Sequence, residues 1–196
     1  MPIDSVSTDY RNPDGWIGIY SGRRFYFAEP RLEDIDIKDI ARALSNLCRF
    51  GGHVQEFYSV AQHCVLASQQ APAEYKLEAL LHDAGEAYLV DMPRPIKKAL
   101  SDYRAIETNL DRACATRFGY PYPMSDRVRE IDNRLLVTEA SQLLGPHMEK
   151  WWAEPHPHWE MMGKPQPYTL IIDPWPARKA YLNFLATYDM LTGTPR

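Results

Sequence analysis

Cysteine is scarce in this chain, and the scarcity is informative. Only Cys48, Cys64 and Cys114 occur in 196 residues, an odd count, widely spaced and without a C-x-x-C pair. That excludes a disulfide framework and a thiolate zinc site, and predicts small buried apolar side chains in a reducing compartment. No apolar run approaches the roughly 18 residues of a membrane span. The opening residues Met1-Pro2-Ile3-Asp4-Ser5 lack a basic stretch leading into an apolar one, so no secretory signal is expected. Excess positive charge is missing too. The formal net charge is -4, which gives no general reason to bind nucleic acid, though a local basic pocket for phosphate stays open. Repeats and low-complexity segments are absent. The length predicts one domain with a full core.

What is present reads as mainly helical. Trp16 to Phe27 alternates aromatic and β-branched residues around Ser21-Gly22, predicting a small N-terminal β-hairpin within residues 15–30. Asp36 is placed to cap a helix, with Asp39 three residues on. Ile37, Ile40, Ala41, Leu44 and Leu47 follow at helical spacing. The glycines of Arg49-Phe50-Gly51-Gly52-His53 stop it. Further helices are predicted at about 59–70, 73–88, 102–118 and 125–144, with a short one around Lys97-Lys98 after Pro93 and Pro95. The core would then span 36–145. A Pro-, His- and Trp-rich loop is expected at 146–172, and a last amphipathic helix at 174–193.

One doublet stands out against this pattern. His82-Asp83 lies in the apolar run Ala79-Leu80-Leu81-His82-Asp83-Ala84-Gly85-Glu86-Ala87-Tyr88. Adjacent imidazole and carboxylate groups cannot both avoid the apolar side of a helix. The cost is reasonable if both bind one metal ion. His63 upstream and Asp132 downstream complete a set of two nitrogens and two oxygens. Such a set suits one divalent transition metal (Mn, Co, Fe, Ni or Zn) better than Mg or Ca, and separate helices of a bundle can bring it together. Glu86 lies three and four residues after the doublet, on the same helical face, where a carboxylate can act as general acid or base. An exposed surface Glu is the plain alternative. Arg49 can clamp phosphate with its planar fork.

The combined motifs are specific. Cys48-Arg49-Phe50-Gly51-Gly52-His53, Tyr58-Ser59-Val60-Ala61-Gln62-His63, the His82-Asp83 run, and Asp91-Met92-Pro93-Arg94-Pro95-Ile96-Lys97 follow one another in order. The chain thereby resembles the HD-domain superfamily of metal-dependent phosphohydrolases, in its small phage and bacterial deoxynucleotide-hydrolase branch. The similarity runs from about residue 22 to 132, and faintly to Pro174-Trp175-Pro176. It implies an HD-type helical bundle and one metal held by His63, His82, Asp83 and Asp132. A single ion is favoured because no histidine lies between Asp83 and Asp132, where two-metal relatives generally carry extra ligands.

The resemblance also implies a substrate, a 2′-deoxynucleotide. Triphosphohydrolysis of a dNTP, dATP in particular, is expected, by hydroxide formed at the metal attacking the α-phosphorus. A 5′-deoxynucleotidase acting on dNMPs is the alternative; the R-F-G-G element and the basic residues Arg94, Lys97 and Arg129 tilt the expectation toward the triphosphate. A non-catalytic nucleotide-binding protein is the more distant one, disfavoured because every ligand and Glu86 are present. An RNA-binding or nuclease role lacks its expected basic stripe. By motif position, Arg49 and Glu86 would be catalytic. Arg49, Phe50, Asp91, Lys97 and Arg129 would contact substrate, with Asp91 on the sugar 3′-hydroxyl and Lys97 and Arg129 on phosphate. Plainer readings stand beside these: Asp91 capping a turn, Lys97 and Lys98 solvated, Arg129 in a surface ion pair, Phe50 in the core, His53 in a loop. His147, His156 and His158 fall outside the motifs. Trp151, Trp152, Trp159 and Trp175 are expected to pack or to serve an interface. Family habit implies a cytoplasmic homo-oligomer, dimer or hexamer, in a bacterial cell or phage-infected host.

Overall fold

A computed structural model describes residues 15–145 and 163–193. The chain is mainly α-helical, with one two-stranded antiparallel hairpin near the start. Strand β1 (Ile17–Gly18) pairs with β2 (Arg24–Phe25) in the register Ile17–Phe25 and Gly18–Arg24. The strands are shorter than the alternating pattern suggested. Gly22 supplies the positive φ of 81° that the turn requires. Phe25 is driven fully into the core and stacks on Tyr88, ring centroids 3.9 Å apart.

Helix α1 (Ile37–Asn46) starts at Asp36, whose side chain accepts from Lys38 N–H. Asp39 does not reach back to complete a capping box. Its carboxylate instead accepts from Ser21 N–H at 2.7 Å and from Arg23 at 3.2 Å, fastening the hairpin to α1. Helix α2 (Val60–Gln70) is capped by Ser59. Between α1 and α2, Arg49 N–H donates to Tyr58 C=O and Val60 N–H to Leu47 C=O. This short bridge pins the Arg49–Gly52 turn, where Phe50 and Gly51 both adopt left-handed backbone.

The predicted helix over 73–88 is not continuous. A 3₁₀ turn at Ala73–Tyr75 leads into α3 (Lys76–Leu81), and α4 (Glu86–Leu89) follows a tightened stretch. There Ala84, Glu86, Ala87 and Tyr88 N–H each donate three residues back rather than four. Three residues per turn stacks Asp83 above Glu86. Gly85 makes this tolerable, because a Cβ there would stand 2.3 Å from an Asp111 carboxylate oxygen. Helices α5 (Arg94–Ala99), α6 (Ser101–Phe118) and α7 (Asp126–Leu143) follow, and α8 (Ala177–Thr192) closes the described chain.

The main core joins α1, α2, α3 and α8, with Ile40, Leu44, Val65, Leu80 and Phe184 essentially inaccessible. Truncating such a residue to alanine costs about 2–5 kcal/mol. A second cluster seats α7 on α2 and α3 through Val128, Ile131 and Leu135. Cys64 and Cys114 are buried core residues, as their scarcity suggested. Residues 163–172 run without regular structure along α7, held where Tyr168 N–H donates to Thr138 Oγ1 and Ile172 N–H to Gln142 Oε1. The rest of the expected 146–172 loop, with His147, His156, His158, Trp151, Trp152 and Trp159, lies outside the described residues. Trp175 packs against the core, and its N–H donates to Gln62. No helix among the described residues is long and apolar enough to cross a membrane.

Candidate metal centre

Three helical segments deliver the four predicted ligands to one point. His63 comes from the first turn of α2, His82 and Asp83 from the tightened stretch after α3, and Asp132 from α7. The two Nε2 atoms are 3.2 Å apart. His63 Nε2 lies 3.3 Å from Asp132 Oδ1 and 3.7 Å from Asp83 Oδ2. His82 Nε2 lies 3.3 Å from Asp83 Oδ2 and 3.9 Å from Asp132 Oδ1. Ligand atoms about 2.1 Å from one shared ion stand roughly 3 to 4 Å from each other, so these donors fit a single metal. His63, His82 and Asp132 form one group able to hold an ion, and Cys64, His82 and Asp83 form another that shares His82.

Both imidazoles are turned toward that point. His82 Nδ1–H donates to Ala79 C=O at 2.8 Å, and His63 Nδ1–H to Glu139 Oε1 at 2.6 Å. Each bond leaves Nε2 with its lone pair facing the centre. Glu139 is fully buried and fully partnered: Tyr58 O–H donates to Oε1 at 2.8 Å and Arg49 Nε–H to Oε2 at 3.0 Å. Sequence reading missed Glu139 and Tyr58. A signal existed, since Glu139 follows Asp132 by two helical turns and interrupts an apolar stretch.

The electrostatics call for a cation. Burial opposes a proton on His82, but Asp83 beside it and hydrogen bonds to Asp132 and Asp83 prevail and push its pKa well up. Burial and Arg49 oppose one on His63, yet Glu139 and the bonds to Asp132 and Glu139 raise it. Against their own burial, Asp83 and Asp132 are held below the usual carboxylate range by the histidines. Without a metal these neighbours favour a proton on the imidazoles, and a metal ion would take its place at the Nε2 lone pairs.

A cavity of about 430 Å³ opens over this cluster, within the range of small-molecule sites. Of the predicted residues, Arg49, Phe50, Glu86, Asp91 and Lys97 line it, together with His82, Asp83 and Asp132. Glu86 is mostly buried. Burial, Asp83 and Asp91 raise its pKa well above the usual value, although Lys97 and Arg49 oppose the shift. Its Oε2 has no hydrogen-bond partner. Arg49 is spent partly on Glu139, and its Nη1 lies 3.6 Å from Asp83 Oδ2. Lys97 is shared between Glu86, at 3.5 Å, and Glu107.

Asp91 follows Val90, whose φ of 72° and ψ of 158° belong to a region that is essentially glycine's. That strain turns Asp91 into the cavity wall. Asp111, unforeseen in the sequence, also lines the cavity, and burial with Glu107 and Asp83 pushes its pKa up to about 7. The structure does not bring Arg129 to the cavity. It donates to Met124 C=O on the exposed side of α7 and borders a separate shallow surface depression. It precedes Asp132 by three residues on α7, yet its side chain is exposed and turned back to Met124, whereas Asp132 is buried against the histidines. His53 is exposed and away from the cavity.

A helical protein with a buried His–Asp cluster beneath a cavity of small-molecule size is thereby defined. The uncharacterized protein YfdR of Escherichia coli K12 is 47% identical over 128 residues, covering 65% of this chain and 72% of that protein. An uncharacterized protein of Rhodobacter capsulatus is 34% identical over 144 residues, covering 66% of this chain and 74% of that one. The chain belongs to the family of these bacterial proteins. No family model matches it.

Proposed function

We propose that the protein is a divalent-metal-dependent hydrolase of 2′-deoxynucleotides, acting on dNTPs, dATP in particular, to release nucleoside and triphosphate. The observation that carries this reading is the meeting of His63, His82, Asp83 and Asp132 under a cavity also lined by Glu86, whose pKa burial and Asp83 push up. A metal ion bound there supplies Lewis acidity, polarising a phosphoryl oxygen and lowering the pKa of water. The remaining chemistry belongs to the chain. Water attacks the α-phosphorus, and the bond from phosphorus to the sugar 5′-oxygen breaks. Glu86, whose pKa is raised by burial and neighbouring carboxylates, gives its proton to the leaving 5′-oxygen and is restored by a proton that the attacking water releases. Arg49 offers its outer nitrogens to phosphate while Glu139 fixes the guanidinium. Asp91 and Phe50 stand on the cavity wall where sugar and base would lie. The substrate class rests on the R-F-G-G and D-x-P-R-P-x-K resemblance.

A second reading, the 5′-deoxynucleotidase, breaks the same bond in a dNMP and releases orthophosphate. One observation favours it. Every cationic side chain lining the cavity is already engaged: Arg49 with Glu139, Arg94 with Asp132, and Lys97 with Glu86 and Glu107. A triphosphate tail would have to compete with those carboxylates. Product analysis separates the two. Manganese-loaded protein is incubated with each dNTP and dNMP and the products are resolved by anion exchange. Tripolyphosphate with nucleoside supports the first reading. Orthophosphate from dNMPs alone supports the second, and no turnover with Mn, Co or Zn refutes both. Self-association as a dimer or hexamer belongs to the same proposal and is read by sedimentation.

A further inference from the structure

Arg94 takes part in none of the steps above, yet it makes a close ion pair with one of the four proposed ligands. Its Nη2 lies 2.6 Å from Asp132 Oδ2, and its Nη1–H donates to Asn133 Oδ1 at 2.9 Å. Asp132 faces the histidines with its other oxygen, Oδ1. The guanidinium therefore occupies the outer oxygen and leaves the inner one for the metal. A carboxylate held this way binds through one oxygen and cannot rotate to chelate through two.

The backbone around Arg94 explains why this contact reaches beyond Asp132. Arg94 sits between Pro93 and Pro95, whose rings restrict the chain, at the start of α5. The segment 90–95 forms one wall of the cavity, contributing Asp91, Met92, Pro93, Arg94 and Pro95. It is fastened at two ends. Tyr103 O–H lies 3.2 Å from both Leu89 and Val90 C=O at the near end, and Arg94 grips α7 at the far end. Between these anchors the strained Val90 presents Asp91 to the cavity.

We infer that Arg94 is a positioning residue that ties the 90–95 wall to the metal ligand Asp132, so that metal affinity and substrate grip depend on one guanidinium. The inference rests on the metal-dependent reading and names a new residue for that site. A planar two-pronged donor is required, because it must reach Asp132 and Asn133 together.

The test uses the full chain, stripped of metal and titrated with Mn²⁺ by calorimetry, as wild type, Arg94→Ala, Arg94→Lys and Asn133→Ala. Arg94→Ala is expected to weaken Mn²⁺ binding about 10–100-fold, the usual effect of removing a group that orients a ligand. The metal-free melting temperature should change little, because the Arg94 side chain is 41% exposed. Arg94→Lys should recover part of the affinity, and Asn133→Ala should lose less than Arg94→Ala. With saturating Mn²⁺ and dATP or dAMP as substrate, KM should rise more than kcat falls, because the wall carrying Asp91 is loosened. An unchanged Mn²⁺ constant in Arg94→Ala overturns the inference while leaving the hydrolase reading intact. Failure of the wild type to bind Mn²⁺ overturns both. Mn²⁺ binding that depends on Arg94, without turnover of either nucleotide, upholds the inference about the site and refutes the proposed activity.

Discussion

The two sides of the candidate metal centre are built differently. On the α2–α7 side the groups behind His63 are buried and satisfied: His63 on Glu139, Glu139 on Tyr58 and Arg49, with none of the three acid, phenol and imidazole side chains accessible. On the side running from His82 to Leu100 the helix tightens and breaks, and Val90 is strained. There Glu86 keeps an unpartnered oxygen, while Val90, Ile96 and Leu100 are exposed. A fully connected network in low dielectric holds geometry. An unsatisfied carboxylate on a strained wall is a group kept ready for something that is not part of the fold. On the proposed function, the first side fixes the ligand geometry and the second meets the substrate.

The largest effect should come from the groups both sides share. Asp83→Ala should abolish Mn²⁺ binding and lower turnover by more than about a thousandfold, exceeding the 10–100-fold typical of groups that only orient ligands. Calorimetry beside a turnover assay reads both. Next comes a crossed pair that sharpens the contrast. Glu139→Ala strands a buried Arg49 and should cost about 3–5 kcal/mol in urea unfolding. Glu86→Gln should leave stability essentially unchanged while kcat falls about 10²–10⁴-fold. If Glu86→Gln unfolds the protein as Glu139→Ala does, the division into a holding side and a working side fails.

A pH series gives a smaller effect with a defined sign. His82 and His63 have raised pKa values in the metal-free fold, so the stability they contribute is full below their unfolded value of about 6.5 and is lost as pH climbs through the raised values. Metal binding runs the opposite way, because protons compete for the same nitrogens. The stabilisation on adding Mn²⁺, read from the melting temperature, should therefore grow between pH 6 and 9, by about 1–3 kcal/mol for a tenfold to hundredfold gain in affinity. A shift that shrinks over that range would contradict the cluster as a metal site. The smallest effect is Val90→Gly. Relief of the strained backbone is worth about 1–3 kcal/mol, offset by up to about 1 kcal/mol of glycine entropy. The melting temperature should stay level or rise slightly, while KM rises as Asp91 loses its fixed position.

Much of this was legible in the chain. The helical pattern placed α1, α2, α6, α7 and α8 within a few residues, because each carries an apolar stripe and a clear start or stop. His63, His82, Asp83 and Asp132 were readable because an adjacent imidazole and carboxylate in an apolar run need a special reason. The break at 82–85 was not, since Ala84 and Ala87 continue the helical pattern and only the approach of Asp111 to Gly85 explains the tightening. Arg129 was misplaced because motif position carries no face of the helix. Glu139 escaped, and Arg94 was readable only as a basic residue for phosphate, because their partners lie 76 and 38 residues away in sequence.

One measurement bears most directly on the central claim. The chelator-stripped chain is titrated with Mn²⁺ while bound metal and deoxynucleotide turnover are followed in the same samples, with Asp83→Ala alongside. The account predicts one ion per chain, activity rising in step with occupancy, and neither in the variant. Turnover that persists in the stripped protein, or in Asp83→Ala, would contradict it.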